Sequence, residues 1–316
     1  MRLAALLTLA LIPLSALSLL LGAASVDVAA IGHDPQAALI FWVSRLPRTL
    51  AVLLTGAALA VAGVILQQIV RNRFVEPGTT GTGEGAALGL LAITLIAPGA
   101  PIVVKMLVAS AAALATTFLF LRLIRRLPPR EVLLVPLVGM ILAGVLQAAV
   151  TFIGWQTDLL QYISTWLMSG EFSGVIAGRY ELLWIAAAAA GLAYVYADRF
   201  VLLSLGRDAA TNLGLNTERV LHLGLAVVSI VTALVVVTVG MIPFVGLVVP
   251  NLVSRLMGDN LRQSLPVVAA GGAALVLACD ILGRAVRYPY EVPVGTVLGV
   301  LGSALFLWLL YRQPAR

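Results

Sequence analysis

The sequence predicts an all-α integral membrane protein with about ten transmembrane helices and both termini in the cytoplasm. Three observations predict it. Of 316 residues, 61% are hydrophobic and only 11% are charged, less than half the ~25% typical of a soluble domain. The apolar residues gather into runs of bilayer length, about 17–25 residues for a helix crossing a ~30 Å core. The Lys and Arg between those runs are shared unevenly between the two sides, as the positive-inside rule describes.

The predicted spans are roughly 3–24, 47–70, 79–98, 101–123, 131–154, 180–199, 219–240, 244–258, 264–284 and 294–312. The first, in MRLAALLTLALIPLSALSLLLGAAS, resembles a signal peptide, but its apolar run exceeds the ~7–15 residues of a signal core. It is predicted to stay as a helix. In the second, Pro47 suits a first helical turn, where its missing N–H is not needed. Gly56, Ala60 and Gly63 then form a small-residue face that lets a neighbouring helix come close. The third follows Asn72–Gly89, NRFVEPGTTGTGEGAALG, with five Gly, one Pro and three Thr. Backbone this irregular at membrane depth must be enclosed by protein or line a wet cavity. Glu84 lies inside that span, so it is expected to face a partner or the transport route rather than lipid.

Further on, Val239–Arg262 carries Pro243 and Pro250, which break regular helix, with Gly240 and Gly246 allowing tight turns. Asp280, near the end of the ninth span, can pair with Arg284 one turn later. Gly295 and Gly299 form a GxxxG pair in the tenth span, suited to close packing, a subunit interface or the route. With the N-terminus inside, 14 basic residues fall on the inner side and 6 on the outer (Arg45, Arg48, Lys105, Arg179, Arg284 and Arg287). An odd number of spans would place the basic tail Arg312–Arg316 outside, so the count favours ten. A single transmembrane domain, 1–316, follows, with an outer loop at about 25–46 and a polar, helix-forming inner segment at about 203–218.

Composition also excludes chemistry. A single Cys279 rules out an internal disulfide, and His33 and His222 are too few and too distant for a His-based metal site. No GxxxxGK[ST] phosphate loop and no HExxH occur, so the chain shows no means of hydrolysing ATP. No metal, cofactor or catalytic residue is predicted. The net charge of +6 is topological and does not point to nucleic acid.

The most polar interruption is Gly206–Val220, GRDAATNLGLNTERV. Leu202, Leu205, Ala209 and Leu213 recur at helical spacing and share one face. Asp208 near the start can cap exposed N–H groups. Gly214 can take the left-handed conformation that ends a helix, and Asn216 or Thr217 can begin the next. Composition alone admits a solvated inner loop. For Arg45 and Arg48 it favours headgroup anchoring.

RLPRTLAVLLTGAALAVAG, NRFVEPGTTGTGEGAALG, GRDAATNLGL, GMIPFVGLVVPNLVSRLMGDN and EVPVGTVLGVLGSALFLWLL follow one another in this order. Together they resemble the permease subunits of iron-siderophore, haem and vitamin B12 ABC importers, the FecCD family. The resemblance covers nearly the whole chain and implies a vitamin-B12-importer-like permease fold in the bacterial cytoplasmic (inner) membrane. It implies a dimer with an identical or paralogous second permease, and two cytoplasmic ATPase subunits that hold ATP and Mg. It also implies a periplasmic or lipoprotein binding protein that delivers the chelate. The resemblance assigns ATPase coupling to Leu205, Gly206, Arg207, Asp208, Ala209, Ala210, Leu213 and Gly214. It assigns Arg45, Arg48 and Arg284 to docking of the binding protein, and leaves Glu84, Gly295 and Gly299 to the pathway or dimer interface.

The chain departs from the family where Asn251 and Asn260 replace a frequent His, and where NRF replaces NPL. VVPN, GDNLR and PGTTGT are similar to the branch associated with catecholate-containing siderophores. The expected function is permeation of a ferric siderophore, with vitamin B12 or haem as alternative cargo. An ion-coupled secondary transporter is the alternative of another class. Such a protein would place ionisable groups or broken helices at its midplane, and Glu84 with the Pro and Gly breaks is its only support.

Overall fold

The computed structural model describes residues 2–22, 33–124, 134–168, 170–258 and 260–311. Every regular element among them is helical. In chain order these are α1 (Arg2–Leu20), α2 (Pro35–Ile40), α3 (Leu46–Val70), α4 (Thr82–Ile96), α5 (Ile102–Ile124), α6 (Leu134–Gln156) and α7 (Leu160–Met168). Then follow α8 (Leu182–Val195), α9 (Ala197–Ser204), α10 (Arg207–Asn212), α11 (Thr217–Val239), α12 (Val245–Met257), α13 (Leu261–Ala285) and α14 (Val294–Tyr311). By length and composition, five helical stretches among the described residues can cross a membrane, and α8 with α9 makes a sixth if the bent pair is one span. The remaining predicted spans coincide with shorter apolar helices in α1, α4, α12 and α14. Arg125, Arg126, Arg130, Asp259, Arg312 and Arg316 lie outside the described residues.

Three features differ from the sequence prediction. The outer loop expected over 25–46 is helical from Pro35. Asp34 Oδ1 accepts the Gln36 N–H at 2.9 Å, Pro35 takes the first turn, and a π-helical turn at Phe41–Arg45 runs straight into α3. Residues 23–32 of that loop lie outside the described ones. A short helix, α7, occupies part of the polar interval after α6. The sixth predicted span is bent by 67° between α8 and α9, so its last turn leaves the line of α8 at Tyr196.

α3 is the axis of the bundle. Hydrophobic around nearly its whole circumference, it is buried against α8, α11, α12 and α13, as such a helix must be. Its 25 residues cover about 37 Å at ~1.5 Å per residue, which sets the distance between the two ends of the molecule. Two close approaches fix its neighbours. A Cβ on Gly56 would strike the Gly272 carbonyl of α13, and one on Gly63 would strike the Gly246 carbonyl of α12. The small residues read from the sequence therefore bring backbone against backbone. α6 and α14 sit at the periphery and expose broad apolar faces, including Met140, Val145, Phe152, Val300 and Leu307.

The irregular segment 71–81 between α3 and α4 is largely buried from Val75 to Gly81 and hydrogen bonded in several directions. Gln67 Nε2 donates to the Val75 carbonyl at 3.4 Å, and Asn251 Nδ2 donates to the Arg73 carbonyl at 2.8 Å. Hydroxyls of Thr80, Thr82 and Thr117 form a chain with spacings of 2.6 and 2.7 Å, tying the segment to α5. This satisfies the requirement that non-helical backbone in such a bundle be enclosed.

Candidate functional site

The residues singled out in the sequence gather at the two ends of α3 and on the faces of α4 and α14. At the N-terminal end, Arg45, Arg48 and Arg284 form one cluster with Asp280 and Glu291. Asp280, fully buried, lies 2.8 Å from Arg48 Nη2 and 2.6 Å from Arg284 Nη2. Arg48 Nη1 donates to both Glu291 oxygens, at 3.0 and 2.8 Å. The other arginine donors cap α1. Arg284 Nη1 donates to the carbonyls of Ser18 and Leu21, and Arg45 Nη1 to those of Leu19 and Leu20, all within 3.1 Å. Carbonyls at a helix C-terminus have no partner in the helix itself, and two guanidinium groups supply them here.

The resemblance gave all three arginines to a partner's acidic patch. In the structure Arg45 and Arg284 are each only 7% exposed, and these donors point into the protein, so a charge contact through these two would require α1 to give way. Arg48 stands nearer the rim with a side chain 14% exposed, closed over by the more open Glu291 at 28%. Residues 286–291, beyond α13, are exposed, and Arg287 packs over the Tyr290 ring. Glu291 was missed from the sequence because its partner Arg48 is 243 positions away.

At the other end of α3, α9 and α10 form a tight turn beside Arg71, whose guanidinium lies about 3.5 Å from where a Gly206 side chain would begin. Leu205 and Leu213 are 61% and 62% exposed, Ala209 is also exposed, and Ala210 is buried as the anchor beneath them. Of the apolar face predicted here, Leu205, Ala209 and Leu213 therefore point away from the bundle, while Leu202 is half-buried. Gly206 occupies the cap position with φ +120°. Gly214 has φ +81°, and the Leu215 N–H donates to the Ala210 carbonyl at 3.0 Å to close the turn. Asn216 Oδ1 caps α11 by accepting the Arg219 N–H. The side chains of Arg207 and Asp208 lie outside the described ones. Nearby, Arg262 of α13 pairs with Asp198 of α9 at 2.6 Å.

Along the bundle, Glu84 sits in the first turn of α4, largely enclosed, with Oε2 lacking a hydrogen-bond partner. Gly295 donates its N–H to the Gly170 carbonyl at 2.8 Å and so packs within the chain, whereas Gly299 faces open space. A cleft of about 440 Å³ opens between α5, α7 and the end of α11, with Gln161, Thr165, Glu171, Arg179 and Thr238 among its polar lining. No group of three or more metal-binding side chains occurs among the described residues.

A bundle of apolar helices of membrane-crossing length around a buried axis, with charge at one end and an outward apolar turn at the other, is that of a multi-pass membrane protein. The chain belongs to the FecCD transport family, which its residues 7–312 match. It is 45% identical over 280 residues to the petrobactin import system permease protein YclN of Bacillus subtilis, covering 89% of this chain and 88% of that one. It is 42% identical over 305 residues to the ferric-anguibactin transport system permease protein FatD of Vibrio anguillarum, covering 96% and 97%. Its fold matches an inward-facing metal-chelate type ABC transporter with a TM-score of 0.85, 27% identity and 99% coverage of both chains.

Proposed function

We propose that this chain is the membrane-spanning permease subunit of an ATP-driven importer that carries a ferric siderophore across the bacterial cytoplasmic membrane. Ten spans with both termini inside place the α9–α10 turn in the cytoplasm and the Arg48 cluster outside. The observation that carries the proposal is the outward face of Leu205, Ala209 and Leu213. Leucines this exposed on a short, closed turn at an aqueous end of the bundle call for a protein partner. A cytoplasmic ATPase is that partner, and it holds the ATP and Mg that this chain has no motif to bind. A rigid turn can pass a movement of the ATPase to α8 and α11, which flank it in the chain.

Siderophore cargo is supported by the petrobactin and ferric-anguibactin relatives. The iron travels inside its chelator, so the permease needs a wide, weakly interacting passage and no metal ligands of its own. A second permease copy or a paralogue completes that passage, lined by the exposed faces of α6 and α14 with Gly299. A soluble binding protein delivers the chelate at the Arg48 end. Arg45 and Arg284 serve that docking indirectly by holding α1, and Arg48 directly. The test is uptake of a labelled ferric siderophore into proteoliposomes holding permease, ATPase and binding protein. Uptake should require both ATP and the binding protein, and uptake by the permease alone would overturn the proposal. Growth of a deletion strain on individual ferric siderophores, haem or vitamin B12 identifies the cargo.

A further inference from the structure

Phe244 stands at the N-cap of α12 with φ +68° and ψ −15°, the left-handed region that residues with a side chain rarely occupy. Such a conformation persists only where its surroundings hold it. Its N–H, which has no partner within α12, donates to Glu76 Oε1 at 3.1 Å from the linker between α3 and α4. Its Cβ lies 2.5 Å from the position a side chain on Gly302 of α14 would take, so only glycine admits it there. Around it Leu247, Val248, Phe306 and Leu309 join α12 to α14, and Arg255 lies over the Trp308 ring toward the other end of the same helix pair. Glu76 is only 7% exposed, and its segment is itself fastened. Its carbonyl accepts from the Thr79 hydroxyl at 2.8 Å, and Pro77 abuts Gly246. A cavity of about 90 Å³ lies beside Glu76, bordered by Thr79, Thr232, Met241 and Pro243, with no other titratable group in its lining.

We propose that Glu76 is a positioning residue of the transport cycle. Its carboxyl oxygen holds the Phe244 junction in its strained form, so that α12 and α14 stay locked to the α3–α4 linker. Release of that one hydrogen bond lets Phe244 relax and the start of α12 shift into the adjoining cavity, moving α14 with it. A buried acceptor at the start of a strained helix is the part that can make such a junction two-state. This rests on the transporter function proposed above, and the test separates the two.

The experiment compares Glu76→Ala and Glu76→Gln with the native permease in lipid nanodiscs, by hydrogen–deuterium exchange across residues 240–248. Gln keeps an acceptor oxygen at the same reach, and Ala does not. The expected result is exchange faster by roughly tenfold or more in Glu76→Ala, with Glu76→Gln within about threefold of native. In proteoliposomes with the partner subunits, Glu76→Ala should lose most ATP-driven uptake while hydrolysing ATP, and Glu76→Gln should restore it. Native-like exchange in Glu76→Ala overturns the proposal. So does a Glu76→Gln permease that exchanges roughly tenfold or more faster than native protein, which also decides the matter if Glu76→Ala does not fold. Should native protein show no ATP-driven uptake, the transporter function fails while the exchange data still judge the clamp.

Discussion

Asp280 shows how one side chain can govern a region. Its carboxylate is fully buried between Arg48 and Arg284, and through Arg284 it orients the donors that cap α1. Removing it leaves Arg284 buried without a carboxylate partner, while Arg48 keeps Glu291, and breaking a buried pair in this way costs about 3–5 kcal/mol. Asp280→Ala should therefore lower the thermal midpoint sharply in detergent, and Asp280→Asn less so. A midpoint unchanged in Asp280→Ala would mean that water or lipid headgroups replace the carboxylate. Half of this cluster was legible in the sequence. The Arg284–Asp280 pair follows from helical spacing, but Arg48–Asp280, Arg48–Glu291 and both caps on α1 join positions more than twenty residues apart. No periodicity relates those, and only the packing of α1, α3 and α13 brings them together. The same holds for Glu76, whose neighbours in sequence say nothing of Phe244.

Among the elements, the α9–α10 turn is the clearest case of local sequence deciding structure. Its leucine spacing, Gly214 and Asn216 cap were readable because each acts within one or two turns. What the spacing could not say is which way the face points, and the structure turns it outward. Leu213→Asp should weaken ATPase binding by about 2 kcal/mol or more, the usual mark of an interface anchor. That is measurable as a loss of co-purification and of uptake with the permease still folded. Gly214→Val should act differently. Nothing lies within 4 Å of that position, so space is no obstacle, but a left-handed β-branched residue costs roughly 1–2 kcal/mol. It should loosen the turn and uncouple ATP hydrolysis from uptake without abolishing assembly. Native coupling in both variants would remove the turn from the ATPase contact. By contrast, the 67° bend at Tyr196 was not legible, because no Pro or Gly marks it and the apolar run continues to the break. The pairing of Asp198 with Arg262 across to α13 accompanies that bend, and nothing in the local sequence announces such a tertiary contact. The helical start at Pro35 is legible in Asp34-Pro35, a cap followed by a first-turn proline, although the interval as a whole carries too few apolar residues to read as a span.

For the molecule as a whole, α3 links the charged cluster to the α9–α10 turn, and its glycines set how tightly. Gly63→Val would place a branched side chain against the Gly246 backbone and force α12 away. The expected loss is ~3 kcal/mol, the upper end for over-packing, seen as a lower midpoint and poor yield; a native midpoint would show that α12 is not held by α3. At the opposite end the same architecture bears on partner recognition. Arg48 is the most exposed arginine of its cluster, and Glu291 already occupies its outer face with both oxygens. A docking protein's carboxylate would have to take the place Glu291 holds. Glu291→Gln removes that competitor and leaves Arg48 paired with Asp280, so the arginine stays anchored and its outer face becomes available. Affinity for the binding protein should rise roughly two- to fivefold, within the ~1 kcal/mol range of partly exposed pairs. The gain should shrink as salt shortens the Debye length from ~10 Å at 0.1 M to ~3 Å at 1 M. Arg48→Gln should weaken docking over the same range. If Arg48→Gln weakens binding and Glu291→Gln leaves it unchanged, Arg48 docks without exchange of partners. If neither moves the affinity, the cluster serves α1 alone and the binding protein finds its hold on the exposed 286–291 loop.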